Sequence, residues 1–228
     1  MPHVAHIFAL AGVLIVSAGA CYSESIPAPA TPLHEKKLVI FLKSDSVIAP
    51  SASTQMKREL GALLQAAAIH VEWRDPSVDQ GGSENDYAAV VHLRGSCHPT
   101  EPDTRFQRSA SGPFTLASSA VADGLILPFG DIDCGALNAF IGPSLWRAPD
   151  KERQLVYARA LARLVAHELY HVIAQAHSHA RSGIAEPSFT LAELLSDHFE
   201  FTESALTELH PEGGEYSGRN DFGEVSGK

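Results

Sequence analysis

Two histidines and a glutamate lie close together in the run AHELYH, residues 166–171. Positions four apart share a face of a helix, so His167 and His171 can each give one ring nitrogen to a single Zn²⁺ at about 2.0–2.1 Å. Glu168 lies about 100° further round the helix, where it can reach a water on the metal without being a ligand. Zinc lowers the pKa of such a water towards about 7, and a carboxylate can take its proton. The spacing predicts one Zn²⁺ per chain and metal-assisted hydrolysis, with Glu168 as the general base.

The helix that must carry these residues is apolar on most of its sides. It is predicted from about Asp150 to Ala176, and its apolar residues recur from Leu155 to Ile173. Such a helix is buried in the protein. Two imidazoles and a carboxylate inside a protein are costly unless a partner satisfies them, and one metal ion does so more simply than several unrelated hydrogen bonds. The pattern therefore favours a metal centre over histidines that only pack in the core.

Residues 167–185 resemble the zinc-dependent metallopeptidases called zincins, and most of all the metzincin branch. The metzincin pattern HExxHxxGxxH has a third histidine six residues after the second, which here is His177, but Ala174 replaces its glycine. Small exported bacterial proteins similar to the metzincins carry the third histidine eight residues after the second, followed by a tripeptide such as Gly-Ile-Met beneath the metal. This chain has His179 at that spacing and then Gly-Ile-Ala at residues 183–185. The resemblance implies a zinc metalloendopeptidase.

The sequence leaves His177 and His179 as alternatives for the third ligand, and it favours His179. The glycine of the metzincin pattern lets the chain leave the helix early through a positive φ, and a side chain at Ala174 makes that exit cost on the order of 1 kcal/mol. Residues 174–176 are good enough helix formers to add most of another turn. A later exit from the helix favours the later histidine.

A less favoured alternative places the third ligand on a second helix. The run AELLSD, residues 192–197, resembles the gluzincin segment, in which a glutamate is the third ligand and an acidic residue four positions later orients a histidine. Glu193 and Asp197 would have these roles. The same residues also predict an ordinary amphipathic helix from Thr190 to Leu206, with Thr190 as the N-cap and Glu193 completing a capping box.

The first 20 residues have the pattern of a signal peptide. An apolar run from Ile7 to Val16 ends in the small residues Ala-Gly-Ala at 18–20. It is too short for a comfortable membrane span, and no other segment approaches the ~20 apolar residues needed, so we expect no transmembrane segment in the mature chain. Cleavage after Ala20 would release a secreted or periplasmic protein. A lipid anchor on Cys21 is the less favoured alternative.

The remaining sequence indicates one domain between two irregular segments. Residues 21–36 are rich in Pro, Ala and Ser and predict a linker, and residues 210–228 are rich in Gly, Glu and Ser and predict a flexible tail. Roughly 190 residues follow the linker, enough for one domain with a real core and too few for two. We expect a single zincin-like catalytic domain over residues 37–209.

The net charge of −10 argues against some partners. Binding to nucleic acid or to an anionic membrane would require a basic stripe, which the chain lacks. A peptide or protein substrate is the expected partner, and the sequence leaves the oligomeric state open.

The hydrophobic pattern predicts an α+β fold. Continuous or alternating apolar runs predict strands at Lys37–Leu42, Ile69–Arg74, Tyr87–Leu93, Phe114–Val121 and Gly124–Phe129, with helices at Ser53–Ala68 and Cys134–Ile141. This order resembles the metzincins, in which a twisted mixed sheet packs on the long HExxH helix and an antiparallel edge strand holds the substrate backbone. Cys97 and Cys134 follow predicted strands, and in an exported chain we expect them to form a disulfide.

Together these observations predict an exported, metzincin-like zinc peptidase with the ligands His167, His171 and His179. The alternative from another functional class is a zinc-stabilised binding domain without catalysis. In that case a fourth protein ligand, such as His177, His179 or Glu193, would close the metal site.

Overall fold

The computed structural model describes residues 36–75, 87–99 and 115–210. The predicted signal peptide lies outside these residues, as do the linker and the tail apart from Lys36 and His210. Lys36, predicted as the end of the linker, instead begins the first strand. Within the described ranges, no helix is long and apolar enough to cross a membrane.

In the described residues the strands come first, with one helix among them, and the helices follow. The strands are β1 (Lys36–Ser44), β2 (Ile69–Arg74), β3 (Tyr87–Arg94), β4 (Ala117–Ala122) and β5 (Leu125–Asp133). The helices are α1 (Pro50–Gln65), α2 (Cys134–Leu145), α3 (Asp150–Ala174), α4 (Leu191–Leu195) and α5 (Glu203–Leu209). The predicted β-α-β-β opening is confirmed.

The described strands form one mixed sheet in the order β2-β1-β3-β5-β4. β1 pairs in parallel with both β2 and β3, and β3 pairs in parallel with β5. β4 is the antiparallel edge strand beside β5. A five-stranded mixed sheet with helices confirms the predicted α+β class.

Helices α1 and α3 pack together and against the sheet. Their shared core contains Leu38 and Ile40 of β1, Leu60 and Leu64 of α1, and Leu161 of α3. The apolar residues of α1 recur at helical spacing and are buried, as its sequence predicts. On α3 every residue from Ala160 to Ile173 is buried. The polar residues among them therefore need partners inside the protein.

β5 is longer than predicted. The sequence places its end at Phe129, because glycine and aspartate follow, but pairing with β3 continues through Arg94 and Asp133. Gly130 lies in this added part, and a Cβ on it would be 3.3 Å from the Cβ of Glu168. The glycine allows β5 to pack closely on α3 beside the candidate general base.

The predicted helix from Thr190 to Leu206 is wrong in its extent, although its capping box is confirmed. Thr190 caps α4 and exchanges hydrogen bonds with Glu193, but the helix ends at Leu195. The guanidinium of Arg163 donates to the carbonyl oxygens of residues 193, 194 and 196. It takes the place of the backbone N–H groups that would continue the helix, and a second helix begins only at Glu203.

The predicted disulfide is present. Cys97 and Cys134 are bonded, with their Cα atoms 4.9 Å apart. Cys134 is the first residue of α2, and Cys97 follows the end of β3. The bond therefore fastens the carboxyl end of the sheet to the helix that follows β5.

Candidate metal centre

The long helix α3 ends just after its second histidine. Gln175 has the left-handed conformation, with φ 50° and ψ 32°, and its amide donates to the carbonyl oxygens of Val172 and Ile126. The prediction that the helix continues to Ala176 is therefore wrong. The chain leaves the helix at Gln175, one residue after the glycine position of the metzincin pattern. The two hydrogen bonds of its side chain stabilise Gln175 at a positive φ, a conformation that is unfavourable for residues other than glycine.

The rings of His167 and His171 are fixed by backbone carbonyl groups. Nδ1 of His167 is 2.7 Å from the carbonyl oxygen of Ile184, and Nδ1 of His171 is 2.6 Å from that of Ala176. A carbonyl oxygen only accepts hydrogen bonds, so each Nδ1 carries the proton and donates it. In a neutral ring each Nε2 then presents a lone pair.

The two lone pairs face each other. The Nε2 atoms of His167 and His171 are 3.1 Å apart, and in the neutral rings neither atom carries a proton to donate. Burial, together with repulsion from His171 and His179, lowers the pKa of His167 to about 4, although the hydrogen bond to Ile184 has the opposite effect. Protonation of His167 is therefore unfavourable as a way to relieve the repulsion between the two nitrogens. A shared metal cation would relieve it.

His179 completes a group of three imidazoles. Its ring centroid is 5.3 Å from that of His167 and 4.7 Å from that of His171. One nitrogen from each of the three rings lies within 4.8 Å of the others. His179 is exposed, whereas the other two rings are buried, so the group opens to solvent on one side. Three histidines in this arrangement could hold a metal ion.

The two alternative third ligands have other partners. Nε2 of His177 lies 2.9 Å from the carbonyl oxygen of Gly124, to which it can donate. The carboxylate of Glu193 accepts from the backbone N–H and the hydroxyl of Thr190, at 2.7 and 2.6 Å. Asp197, the residue proposed to orient a histidine, pairs with Arg159 instead. The structure brings His179 to the histidine pair and leaves these residues bonded elsewhere.

Glu168 lies beside the histidines, in contact with the sheet. It is only 4% exposed, and the hydroxyl of Ser119 on β4 donates to its Oε2 at 2.6 Å. Burial raises the pKa of Glu168 to about 7, and the Ser119 hydrogen bond opposes that rise. The register of β4 on β5 shifts between Ser119 and Val121, and such a bulge re-aims side chains at a sheet edge. The carboxyl group is thus held at the site with a raised proton affinity.

A tight turn places the carbonyl group that orients His167. Gly183 has φ +78°, and a Cβ there would lie 2.6 Å from the carbonyl oxygen of Glu200. That oxygen also accepts a hydrogen bond from the N–H of Ile184, at 3.1 Å. Ile184 and Ala185 are fully buried. Residues 183–185 therefore support the histidine group through backbone geometry.

Two cavities open on this centre. One of about 290 Å³ is lined by the three grouped histidines, by Glu168 and by His177. The other, of about 540 Å³, is lined by His167 and Glu168 together with apolar residues from β4, α2 and α3, and by residues 186–189. A reacting bond near the histidines would thus have space on either side of Glu168.

Sequence reasoning missed several residues of the site. Ser119 and Glu186 belong to no motif, and the carbonyl groups of Ala176 and Ile184 have no sequence signal beyond the spacing of the Gly-Ile-Ala turn. Arg163 is fully buried and binds backbone carbonyls, although an arginine one turn before His167 more often extends to solvent. Only contacts between distant segments reveal these roles.

Comparison of the chain with known protein families and with curated proteins gave no match. The chemistry of the centre therefore follows from its own residues. These are three imidazoles around one point, a buried carboxyl group beside them, and an adjoining cavity with apolar walls.

Proposed function

We propose that this protein is an exported zinc-dependent peptidase of metzincin-like type, with His167, His171 and His179 as ligands and Glu168 as general base. The observation that carries the proposal is the pair of Nε2 atoms held 3.1 Å apart with their lone pairs facing. Two nitrogens on a tetrahedral ion with bonds of 2.0–2.1 Å are about 3.3 Å apart. The measured separation is close to that value.

The donor set favours zinc among the common metal ions. Neutral imidazoles suit Zn²⁺, whereas calcium and magnesium prefer oxygen ligands. Both buried rings donate Nδ1–H to backbone carbonyls, the support that metal-binding histidines usually have. Three protein ligands leave a coordination position open, which is typical of catalytic zinc sites and not of structural ones.

The roles of the protein residues follow from their positions. When bound, Zn²⁺ would supply acidification of a water and polarisation of a carbonyl group. Glu168 would take the proton of the attacking water, and it would return a proton to the leaving amine. A carboxyl group whose pKa is raised to about 7 is suited to both steps near neutral pH. Ser119 would orient the carboxyl group through its hydrogen bond.

Export is part of the proposal. The signal-peptide pattern lies outside the described residues, but the Cys97–Cys134 disulfide favours an oxidising compartment such as the periplasm or the extracellular space. The edge strand β4 carries Ser119 to the site, so an extended substrate could pair with this strand beside the metal.

The test is the substitution Glu168→Gln in zinc-loaded protein. Glutamine keeps the shape and a hydrogen-bonding group but cannot take a proton, so the variant should retain about one Zn²⁺ per chain and lose several orders of magnitude in peptide hydrolysis. Glu203→Gln, at an exposed position on α5, is the matched control and should hydrolyse as the wild type does. Native protein that never binds zinc, or unchanged hydrolysis in Glu168→Gln, would refute the proposal.

A zinc-stabilised binding domain without catalysis is the second candidate. It is favoured by one observation, namely that His177 lines the same cavity as the three grouped histidines. A fourth ligand would close the site and stop hydrolysis. That function predicts zinc that stabilises the fold, no cleavage of any peptide, and weaker zinc binding in His177→Ala.

A further inference from the structure

The cavity of about 540 Å³ beside Glu168 has two kinds of wall. It extends back along α3 from Glu168 to Leu164, four residues earlier, a rise of about 6 Å. Leu116, Phe140 and Phe189 make its walls apolar, and Phe189 also packs edge-on against the ring of His167, with centroids 5.4 Å apart. The volume suits one large side chain of a substrate whose backbone lies at the metal group.

One wall of the cavity carries a second carboxyl group, that of Glu186. The backbone N–H of Glu186 donates to the carbonyl oxygen of Gly183 at 3.0 Å, so the residue is fixed to the turn beneath the histidines. Its Oε1 atom is buried and has no hydrogen-bond partner among the described residues. A buried acceptor without a donor is destabilising, and a donor on an occupant of the cavity would remove that cost.

The surroundings of Glu186 add negative charge. Burial and the nearby carboxylate of Glu193 raise the pKa of Glu186. A hydrogen bond between these two carboxyl groups also raises the pKa of Glu186, and it leaves the buried Oε1 atom of Glu186 without a partner among the described residues. No Lys or Arg lines the cavity among the described residues. A positive charge placed there would be stabilised by the carboxyl groups of Glu186 and Glu168, which both line the cavity.

We infer that this cavity binds a lysine or arginine side chain of the substrate next to the bond that is cleaved, and that Glu186 recognises its cationic end. The inference rests on the proposed function, because the cavity lies beside Glu168. The aliphatic stem of a lysine or arginine packs against the apolar walls, and its charged end donates to the carboxylate. A leucine or phenylalanine would fill the walls and leave Oε1 of Glu186 without a donor. An aspartate or glutamate would be repelled.

The test is cleavage of a mixed peptide library by the zinc-loaded full-length mature protein, with cut sites read by mass spectrometry. The wild type should cut beside Lys or Arg with kcat/KM about 10- to 100-fold above that beside Leu or Phe, the range expected for a charge-assisted hydrogen bond. Glu186→Gln should lose most of that preference, measured as the ratio of kcat/KM beside Lys or Arg to kcat/KM beside Leu or Phe. Glu186→Lys should favour Asp and Glu instead, and Glu203→Gln should match the wild type.

The outcomes separate this inference from the proposed function. Cleavage by the wild type without preference for Lys or Arg overturns the inference and leaves the peptidase proposal standing. A basic preference that persists in folded, zinc-loaded Glu186→Gln shows that another residue recognises the charge, and overturns the role of Glu186. Failure to cleave any peptide overturns both. Because the wild-type preference is decisive alone, the test holds even if a Glu186 variant does not fold.

Discussion

Removal of the imidazole of His179 should weaken zinc binding far more than removal of that of His177. Both histidines are exposed, and they are only two residues apart. One nitrogen of His179 lies within 4.8 Å of a ring nitrogen of each of the other two histidines, whereas Nε2 of His177 is bonded to the carbonyl oxygen of Gly124. His179→Ala and His177→Ala therefore form a matched pair that differs mainly in what each ring contacts.

The size of the expected loss follows from the number of ligands. Structural zinc sites with four protein ligands bind with about 10–16 kcal/mol at pH 7, so one ligand corresponds to about 2.5–4 kcal/mol. At 1.4 kcal/mol per tenfold, this is roughly a 60- to 700-fold rise in Kd. His177→Ala removes one exposed hydrogen bond, which lowers the free energy of unfolding by about 0.5–1.5 kcal/mol and leaves the ligand group intact.

The assay is competition for zinc against a chromophoric chelator at constant pH, with thermal melting of each variant as a check on folding. His179→Ala should raise the Kd for zinc about 100-fold or more, and His177→Ala should change it by less than about threefold. The reverse order would restore the metzincin spacing and contradict the three-histidine group seen here. Equal small losses in both variants would point to a ligand such as Glu193, despite its bonds to Thr190.

Three further predictions concern the parts that hold the site. Gln175→Ala keeps a side chain at the left-handed position but removes the hydrogen bonds of that side chain, so the free energy of unfolding measured in urea should fall by about 1–3 kcal/mol. Gln175→Gly should be about 1 kcal/mol more stable than Gln175→Ala, because glycine adopts positive φ without strain. Equal stabilities of the two variants would show that the backbone at this position is not strained. Gly183→Ala should lower the free energy of unfolding by about 2 kcal/mol or more and weaken zinc binding, because the new Cβ would lie 2.6 Å from the carbonyl oxygen of Glu200. A variant that melts and binds zinc as the wild type does would refute this prediction. Replacement of both Cys97 and Cys134 by alanine should lower the free energy of unfolding by about 3–4 kcal/mol, because the disulfide no longer restricts the unfolded chain. Two freely alkylated thiols in the native protein would show that the disulfide is not formed.

The sequence was most informative where the signal is periodic and local. The four-residue spacing of His167 and His171 is enough to place both on one face of a helix, whatever that helix packs against. Apolar periodicity located the end of α3 to within two residues, and it indicated which segments form strands, because burial of one face imposes a period on each element. The pairing of Cys97 with Cys134 was also predictable, since both follow strands of one sheet.

The errors arose where distant segments decide the local structure. A helix from Thr190 to Leu206 agrees with its own sequence, yet it ends at Leu195 because Arg163, on another helix, takes the carbonyl groups at its end. β5 continues beyond Phe129 because pairing with β3 outweighs the weak strand preference of glycine and aspartate. Neither influence is present in the segment that it changes.

For the candidate site, the sequence by itself determined the chemical groups, namely the imidazoles on α3 and the carboxyl group of Glu168. Only the tertiary structure decided which of His177 and His179 comes beside them, that Ser119 contacts Glu168, and that Glu186 lines the adjoining cavity. The physical reason is the range of the interactions. Helical spacing is set by bonds within a few residues. The segment after α3 is instead held by contacts of Gln175 with Ile126 and of Ile184 with Glu200, which come from other parts of the chain.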